Sequence, residues 1–369
     1  MRKVALAFLS LFLTMTSTTF VTAATNQKIV VAKNFKQVQL LVDAATSAEV
    51  IKVVSGTYLD NSLNINKDGI SVVAQVPGRV ILNGFDSITI SGNNDRFSGF
   101  QFLAGGSPKF AITVLGNNAY LSDLNFNGYA AQKYVVFKNS ATYGVLMNSN
   151  FENKPIGAPL GDLIQIDPGP DSPNYVTISN NSCQHLPGAG GDNGNECIRI
   201  GEGALSKFVS RTVVEYNYFE DTGPGDSEAI SIKSQENVIR YNTMFNNPGA
   251  MFVFRNGDNN QMYGNYFVLS GGVRVKQAAN AYIFNNIFDR AGTTGKMPAF
   301  LVDQVKTPQS FYLFGNTFVD SIGEPAGNDI TDQPLPIYAG IKLNNKSLSK
   351  PLLTADVGPS YLKHRKVTK

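Results

Sequence analysis

The chain is built from short runs of β-branched and aromatic residues separated by Gly- and Asn-rich breaks. One phrase recurs, an apolar run closed by Asn-x-Phe or a close variant. It reads TISNNSC to Cys183, VVEYNYF to Phe219, VIRYNTM to Met244, MYGNYF to Phe267, YIFNNIF to Phe288 and YLFGNTF to Phe318. The same apolar slot is filled earlier by Phe102, Phe126 and Phe151. A period of roughly 20–30 residues, strand-like inside and polar between, marks a solenoid. Two residues before the slot stands an asparagine in six successive copies: Asn181, Asn217, Asn242, Asn265, Asn286 and Asn316. Stacked at one corner, these would hydrogen-bond from coil to coil and occupy a left-handed turn.

Within the runs the alternation is that of strands. In AISIKS, Ile230 and Ile232 point to one face and Ala229, Ser231 and Lys233 to the other. Short strands with polar corners predict an all-β chain, a single-stranded right-handed parallel β-helix. The consensus of a leucine-rich repeat or a propeller does not appear. One segment breaks the pattern. From Asn34 to Ala45, Phe35, Val38, Leu41, Val42 and Ala45 recur at helical spacing, and Asn34 is placed as an N-cap. This predicts a short helix capping the first coil. The repeats run from Phe97 to Asp320. A looser tail from Pro334 ends in YLKHRKVTK and is read as a frayed, solvated end rather than a binding arm.

Residues 1–23 begin Met-Arg-Lys, continue as an apolar run and end Val21-Thr22-Ala23, the form of a secretory signal peptide. The run is too short for a membrane anchor and is broken by Thr and Ser. An exported protein, periplasmic or secreted, is therefore expected, with one domain over 24–369 and no membrane association after cleavage. Formal net charge is +3, and Arg2 and Lys3 leave with the signal. Any surface for a polyanion must then be a local patch. The patch is short and no recognition motif appears, which argues against nucleic acid. Cys183 and Cys197 are the two cysteines. Placed on different elements of neighbouring turns, they fit a bridge and buried thiols equally. Monomer and dimer both remain open.

Three coils align as EAISIKS, AMFVFRN and GGVRVKQ, with Lys233, Arg255 and Lys276 in one outward column at intervals of 22 and 21 residues. One coil apart, they would lie about 5 Å from each other at the backbone. The neighbouring outward column holds Ser231, Val253 and Arg274, and the preceding coil adds Arg199. Like charges on adjacent strands are unfavourable, so an uncompensated stripe points to a polyanionic ligand. A solvated basic face with acidic partners is the alternative. Just before Lys233 a Gly-Pro-Gly loop carries Asp226 and Glu228, and one coil earlier GGDNGNE carries Asp192, Asn193, Asn195 and Glu196. Hard cations take such oxygens, although Asp and Glu in Gly-rich turns are more often plain turn residues.

The ordered set SEAISIKSQENVIRYN, FRNGDNNQMYGNYF, GGVRV and FNNIF, with ECIRIG and VIKVVSGTY before them, resembles polysaccharide lyase family 6, which contains alginate lyases and chondroitinase B. LTADVGPSY adds to it less specifically. The resemblance covers nearly the whole mature chain and implies a right-handed parallel β-helix. It implies Lys233 as base and Arg255 as acid. It also implies Ca²⁺ held by Asp226, Glu228 and Asn195, with Asn193 as the other possible ligand. Arg274 is expected to contact a substrate carboxylate, and Arg199, Lys276, Ser231 and Asn256 complete the candidate substrate contacts. Two departures stand out. Asn256 replaces the family's histidine after the catalytic arginine, and Asp226 stands where many members have Glu. The expected activity is β-elimination on a 4-linked uronic acid polymer, with alginate as the substrate. Chondroitin or dermatan sulfate cleavage and a non-catalytic polysaccharide-binding β-helix are the alternatives.

Overall fold

A computed structural model describes residues 27–46, 48–105, 109–171, 173–189, 194–222, 227–294, 297–303, 311–323, 348 and 350–363. The expected signal segment, Asp192, Asn193, Asp226 and the end of the basic tail lie outside the described residues. Among the described residues the strands form three parallel sheets of twelve, ten and eleven strands, and the chain visits each sheet in turn. This is the single-stranded right-handed parallel β-helix that the repeat predicts.

The recurring apolar slot is one inward column. Phe102, Phe126, Phe151, Cys183, Phe219, Met244, Phe267, Phe288 and Phe318 pair successively in register in the eleven-stranded sheet. Where neighbours are both aromatic they stack, at 4.2 Å between Phe102 and Phe126 and 4.8 Å between Phe267 and Phe288. A flat ring filling one coil thus presents a flat face to the next.

The six asparagines form a ladder at one corner. The backbone N–H groups of Asn181, Asn217, Asn242, Asn265 and Asn286 each donate to Oδ1 of the next asparagine, at 2.9–3.0 Å. Each amide also returns to backbone, as Asn242 Nδ2 does to Val214 O at 2.9 Å. Ser149 extends the ladder one coil earlier by donating from its N–H to Asn181 Oδ1 at 2.9 Å. The left-handed residue of this turn is not the ladder asparagine, as expected, but the one before it. Asn180, Tyr216, Tyr241 and Asn285 have φ of 56°, 56°, 56° and 53°, and Gly264 and Gly315 fill the same place. The turn residue reverses the chain, and the following asparagine then points into the stack.

The helix spans Phe35–Ala44, with Asn34 Oδ1 accepting from the N–H of Gln37 at 2.9 Å. Phe35, Val38 and Val42 are buried against the first coil. The tail differs from the frayed end expected. Within 350–363, the N–H of Leu352 donates to Thr243 Oγ1 at 2.8 Å, and the N–H of Gly358 to Asn180 O at 2.8 Å. Ser360 reaches Asp123, and the Tyr361 ring lies so close to Gly78 that a Cβ there would meet it at 2.4 Å. Leu352, Val357 and Tyr361 give this strap an apolar side; Val357 is 2% exposed.

Replacing Asn242 with Ala removes the Oδ1 that serves two donors of Asn217 and strands buried backbone carbonyls. Each buried polar group left unpaired costs about 1–3 kcal/mol. Asn242→Ala should therefore lower the midpoint of thermal or denaturant unfolding clearly. A midpoint equal to that of the parent protein would show the ladder to be incidental.

Candidate active site

The candidate residues lie on or just beside five adjacent strands of the ten-stranded sheet: Ile164–Ile166, Ile198–Ile200, Ser227–Ile232, Ala250–Arg255 and Val273–Lys276. Register places Arg199, Ser231, Val253 and Arg274 in one outward row, as expected, and adds Gln165 to it. Ile232 pairs with Phe254, so Lys233 follows beside Arg255, and Arg255 pairs with Lys276. The alternate positions Ile198, Ile200, Ile230, Ile232, Phe252 and Phe254 all enter the core.

Strict alternation fails at one point, and the failure makes the site. The register between Ser227–Ile232 and Ala250–Arg255 slips between Glu228 and Ile230. Ala229, expected outward, is buried in the core. Glu228 instead faces the outward row, where its Oε1 accepts from Arg255 Nη1 at 2.6 Å. A bulge of this kind re-aims one side chain without disturbing the next coil.

Lys233 is 7% exposed. Its pKa is lowered first by burial, and the cations of Arg199 and then Arg255 push it the same way. Glu228 and Glu196 act in the opposite direction. Arg255, although in the neighbouring column position, is thus a lesser influence than Arg199.

The basic stripe is not uncompensated. Arg199 Nη2 lies 2.6 Å from Asp162 Oδ2 and 3.2 Å from Glu202 Oε1, and it donates to Gln165 Oε1 at 3.3 Å. Asp162 is wholly buried and also takes Lys133 Nζ at 3.0 Å. Lys133 Nζ makes a further hydrogen bond to Gln165 Oε1. Arg199, expected at the substrate, is therefore engaged by protein oxygens. Ser231, expected there too, is wholly buried. Arg274, Lys276 and Asn256 remain half-buried at the edge of the row.

Asp162 was not identified from the sequence, yet a signal was available. Asp162, Glu196 and Glu228 each stand two residues before an isoleucine of one inward column, Ile164, Ile198 and Ile230. They form an acidic column across three coils, facing the basic one. Burial and the neighbouring Asp162, with which it shares a hydrogen bond, push Glu196 up to about 8. As a carboxylate, Glu196 would have no donor for either oxygen; protonated, it donates to Asp162. Asp162 is held below its ordinary range: burial opposes this, but the bond from Glu196 and the charges of Arg199 and Lys133 prevail.

Among the described residues of this site, Oδ1 of Asn195 and Oε2 of Glu228 are buried without a hydrogen-bond partner, as are Asp162 Oδ1, both Glu196 oxygens and Ser231 Oγ. Asn195 is fixed by its Nδ2, which donates to Pro187 O at 3.2 Å. One amide oxygen and one carboxylate oxygen left unpaired on adjacent coils fit a hard cation such as Ca²⁺. Among the described residues no three His, Cys, Asp or Glu side chains converge on a metal position. The loop before Asn195 is closed by a disulfide between Cys183 and Cys197, with Cα atoms 6.3 Å apart. Cys183 lies in the strand Ser182–Leu186 and Cys197 immediately precedes Ile198–Ile200, the next strand of the same coil, so the two are not on neighbouring turns.

The fold and this site define a parallel β-helix protein with a buried lysine set beside an arginine–glutamate pair on one outward face. The family model for chondroitinase B matches residues 32–313, and the chain belongs to that family. Among solved structures it is similar to the PL6 family alginate lyase AlyGC, with 23% identity over 82% of this chain and 45% of that one, at a TM-score of 0.67. It is also similar to a mannuronic acid specific polysaccharide family 6 lyase from human gut microbiota, with 20% identity, coverage of 80% and 74%, and a TM-score of 0.68. A PL6 family polysaccharide lyase from Pseudopedobacter saltans matches at 18% identity, with coverage of 89% and 99% and a TM-score of 0.64. The chain spans less than half the length of AlyGC. No match was found among curated proteins. At these identities the structural likeness speaks for the fold.

The bridge closes a loop of 14 residues in sequence separation, for which cross-linking stabilises by about 3 kcal/mol. The double variant Cys183→Ser, Cys197→Ser should therefore unfold at a lower temperature, and reductant should lower the parent's midpoint towards it. Identical midpoints would mean the cross-link constrains nothing.

Proposed function

We propose that the protein is a polysaccharide lyase that cleaves a 4-linked uronic acid polymer, alginate, by β-elimination. The observation that carries this reading is the buried amine of Lys233, flanked by the Arg255–Glu228 pair on the face of the sheet. Elimination requires a base for the weakly acidic C5 proton of the uronate. Lys233 can serve only as the free amine, and burial together with Arg199 and Arg255 favours that form. The amine takes the C5 proton, the C4–O4 bond breaks, and the product carries a C4–C5 double bond. Arg255 stays protonated and hydrogen-bonds the leaving O4, which takes its proton from water, while Glu228 holds the Arg255 guanidinium in place. Arg274, half-buried in the same outward row, is assigned to the substrate carboxylate.

Asn195 and Glu228, with Asp226, are the residues that would hold a calcium ion. When bound, the ion supplies positive charge against the uronate carboxylate, whose neutralisation makes the C5 proton easier to remove. Alginate is preferred to a sulfated glycosaminoglycan because Arg199 and Arg255 of the basic stripe are already matched by acidic side chains. Alginate is also the polymer named for AlyGC.

The test is ultraviolet absorbance of the unsaturated product on mixing the protein with alginate, dermatan sulfate or pectate. Absorbance should rise with alginate alone. Lys233→Ala should reduce turnover by about 10²–10⁴-fold while leaving polymer binding in place. A flat trace from folded protein on all three polymers would overturn the reading. Activity should also depend on pH with a defined sign. A lowered pKa means the free amine persists further towards neutral pH, and kcat/KM should fall as pH drops through that value. Loss of activity with a chelator, restored by Ca²⁺, would support the calcium assignment; indifference to chelation would remove it.

A further inference from the structure

Arg199 sits next to Lys233's coil but is not presented to solvent as a ligand for a polymer. Its side chain is 15% exposed, and its Nη2 is held between Asp162, Gln165 and Glu202. The anchor among these is Asp162. It is completely buried, and its Oδ2 binds both Arg199 Nη2 and Lys133 Nζ. Glu202, by contrast, has a half-exposed side chain. Arg199 pairs in register with Ser231, two residues before Lys233 on the neighbouring strand. An arginine that cannot leave its place is unsuited to capturing a moving chain, but it is suited to holding a constant charge beside a reacting group.

We infer that Asp162 is a positioning residue for the elimination, locking the Arg199 guanidinium beside Lys233 as a fixed cation that acts on the base and not on the polymer. This rests on the reading of Lys233 as the base. Among the described residues, Arg199 and Arg255 favour the free amine of Lys233, and Glu228 and Glu196 oppose it. Removing Arg199, or releasing it by removing Asp162, raises the pH at which Lys233 becomes competent. The substrate's own contacts stay intact.

The experiment is a double-mutant cycle on Asp162→Asn and Arg199→Gln, with kcat, KM and the pH profile of kcat/KM measured on alginate. Each single variant should lower kcat about tenfold with KM held within about twofold, and the double variant should be no more than about twofold slower than Arg199→Gln alone. The acid limb of the profile should move to higher pH in all three. Full additivity of the two changes would overturn the proposal, because Asp162 would then not act through Arg199. A raised KM with unchanged kcat in Arg199→Gln would overturn it too, by making Arg199 a substrate contact. Should Asp162→Asn not fold, the split between kcat and KM in Arg199→Gln decides alone. Lys233→Ala separates the two levels. If that variant turns over normally, the assignment of the base fails and the proposal with it. If it is inactive while the cycle is additive, only the role of Asp162 fails.

Discussion

Every feature of this molecule depends on one constraint, that each coil must close at the same place as the coil below it. The asparagine ladder enforces it. Five links join Asn181 to Asn316, each made by the same oxygen accepting from the same kind of backbone donor. Buried away from water, those donors have no other partner to turn to. A coil longer or shorter by one residue at that corner would leave both an N–H and a carbonyl unpaired. Length variation is therefore pushed to the other corners, and this is where the loops bordering the site arise. The rigid column of asparagines and the variable loops of the ten-stranded sheet are two sides of one arrangement.

That constraint gives the site its chemistry. Stacking puts three carboxyl groups, Asp162, Glu196 and Glu228, at the entrance of successive strands, and puts cations across from them. The low exposure of this region makes each partner matter, since a buried charge left alone is far more costly than one in water. The result is a graded row. Arg199 is locked from below, Arg255 is held by Glu228, and Lys233 lies between them with no carboxylate of its own in contact among the described residues. One bulge is enough to turn Glu228 out of the core and into this row.

The fold was legible in the sequence because a repeat converts spacing into adjacency. The slot from Phe102 to Phe318 and the outward columns of Lys233, Arg255 and Lys276 follow from counting residues. What counting missed has physical causes. The bulge at Glu228 breaks strict alternation, so Ala229 was assigned to the wrong face. The left-handed residue of the asparagine corner is the one preceding the ladder, a distinction that depends on backbone angles rather than side-chain pattern. Asp162 lay in a short run, GDLIQID, that carries no charged cluster. Its importance emerges only when coils of different length are aligned by their inward isoleucines. The docked strap at 350–363 looked like a loose end because its apolar residues, Leu352, Val357 and Tyr361, are too widely spaced to suggest an element.

That strap changes the kind of object the solenoid is. A stack in which each coil touches only its neighbours can open from either end one layer at a time. Here Ser360 bonds Asp123 across 237 residues of chain, and Tyr361 lies on Gly78. A segment late in the chain thus seals coils that lie far earlier in it. Loop-closure entropy must be overcome for such a contact, so it forms only once the intervening layers are in place. The strap acts as a latch laid across coils that do not touch one another, and it opposes the opening of those layers one at a time.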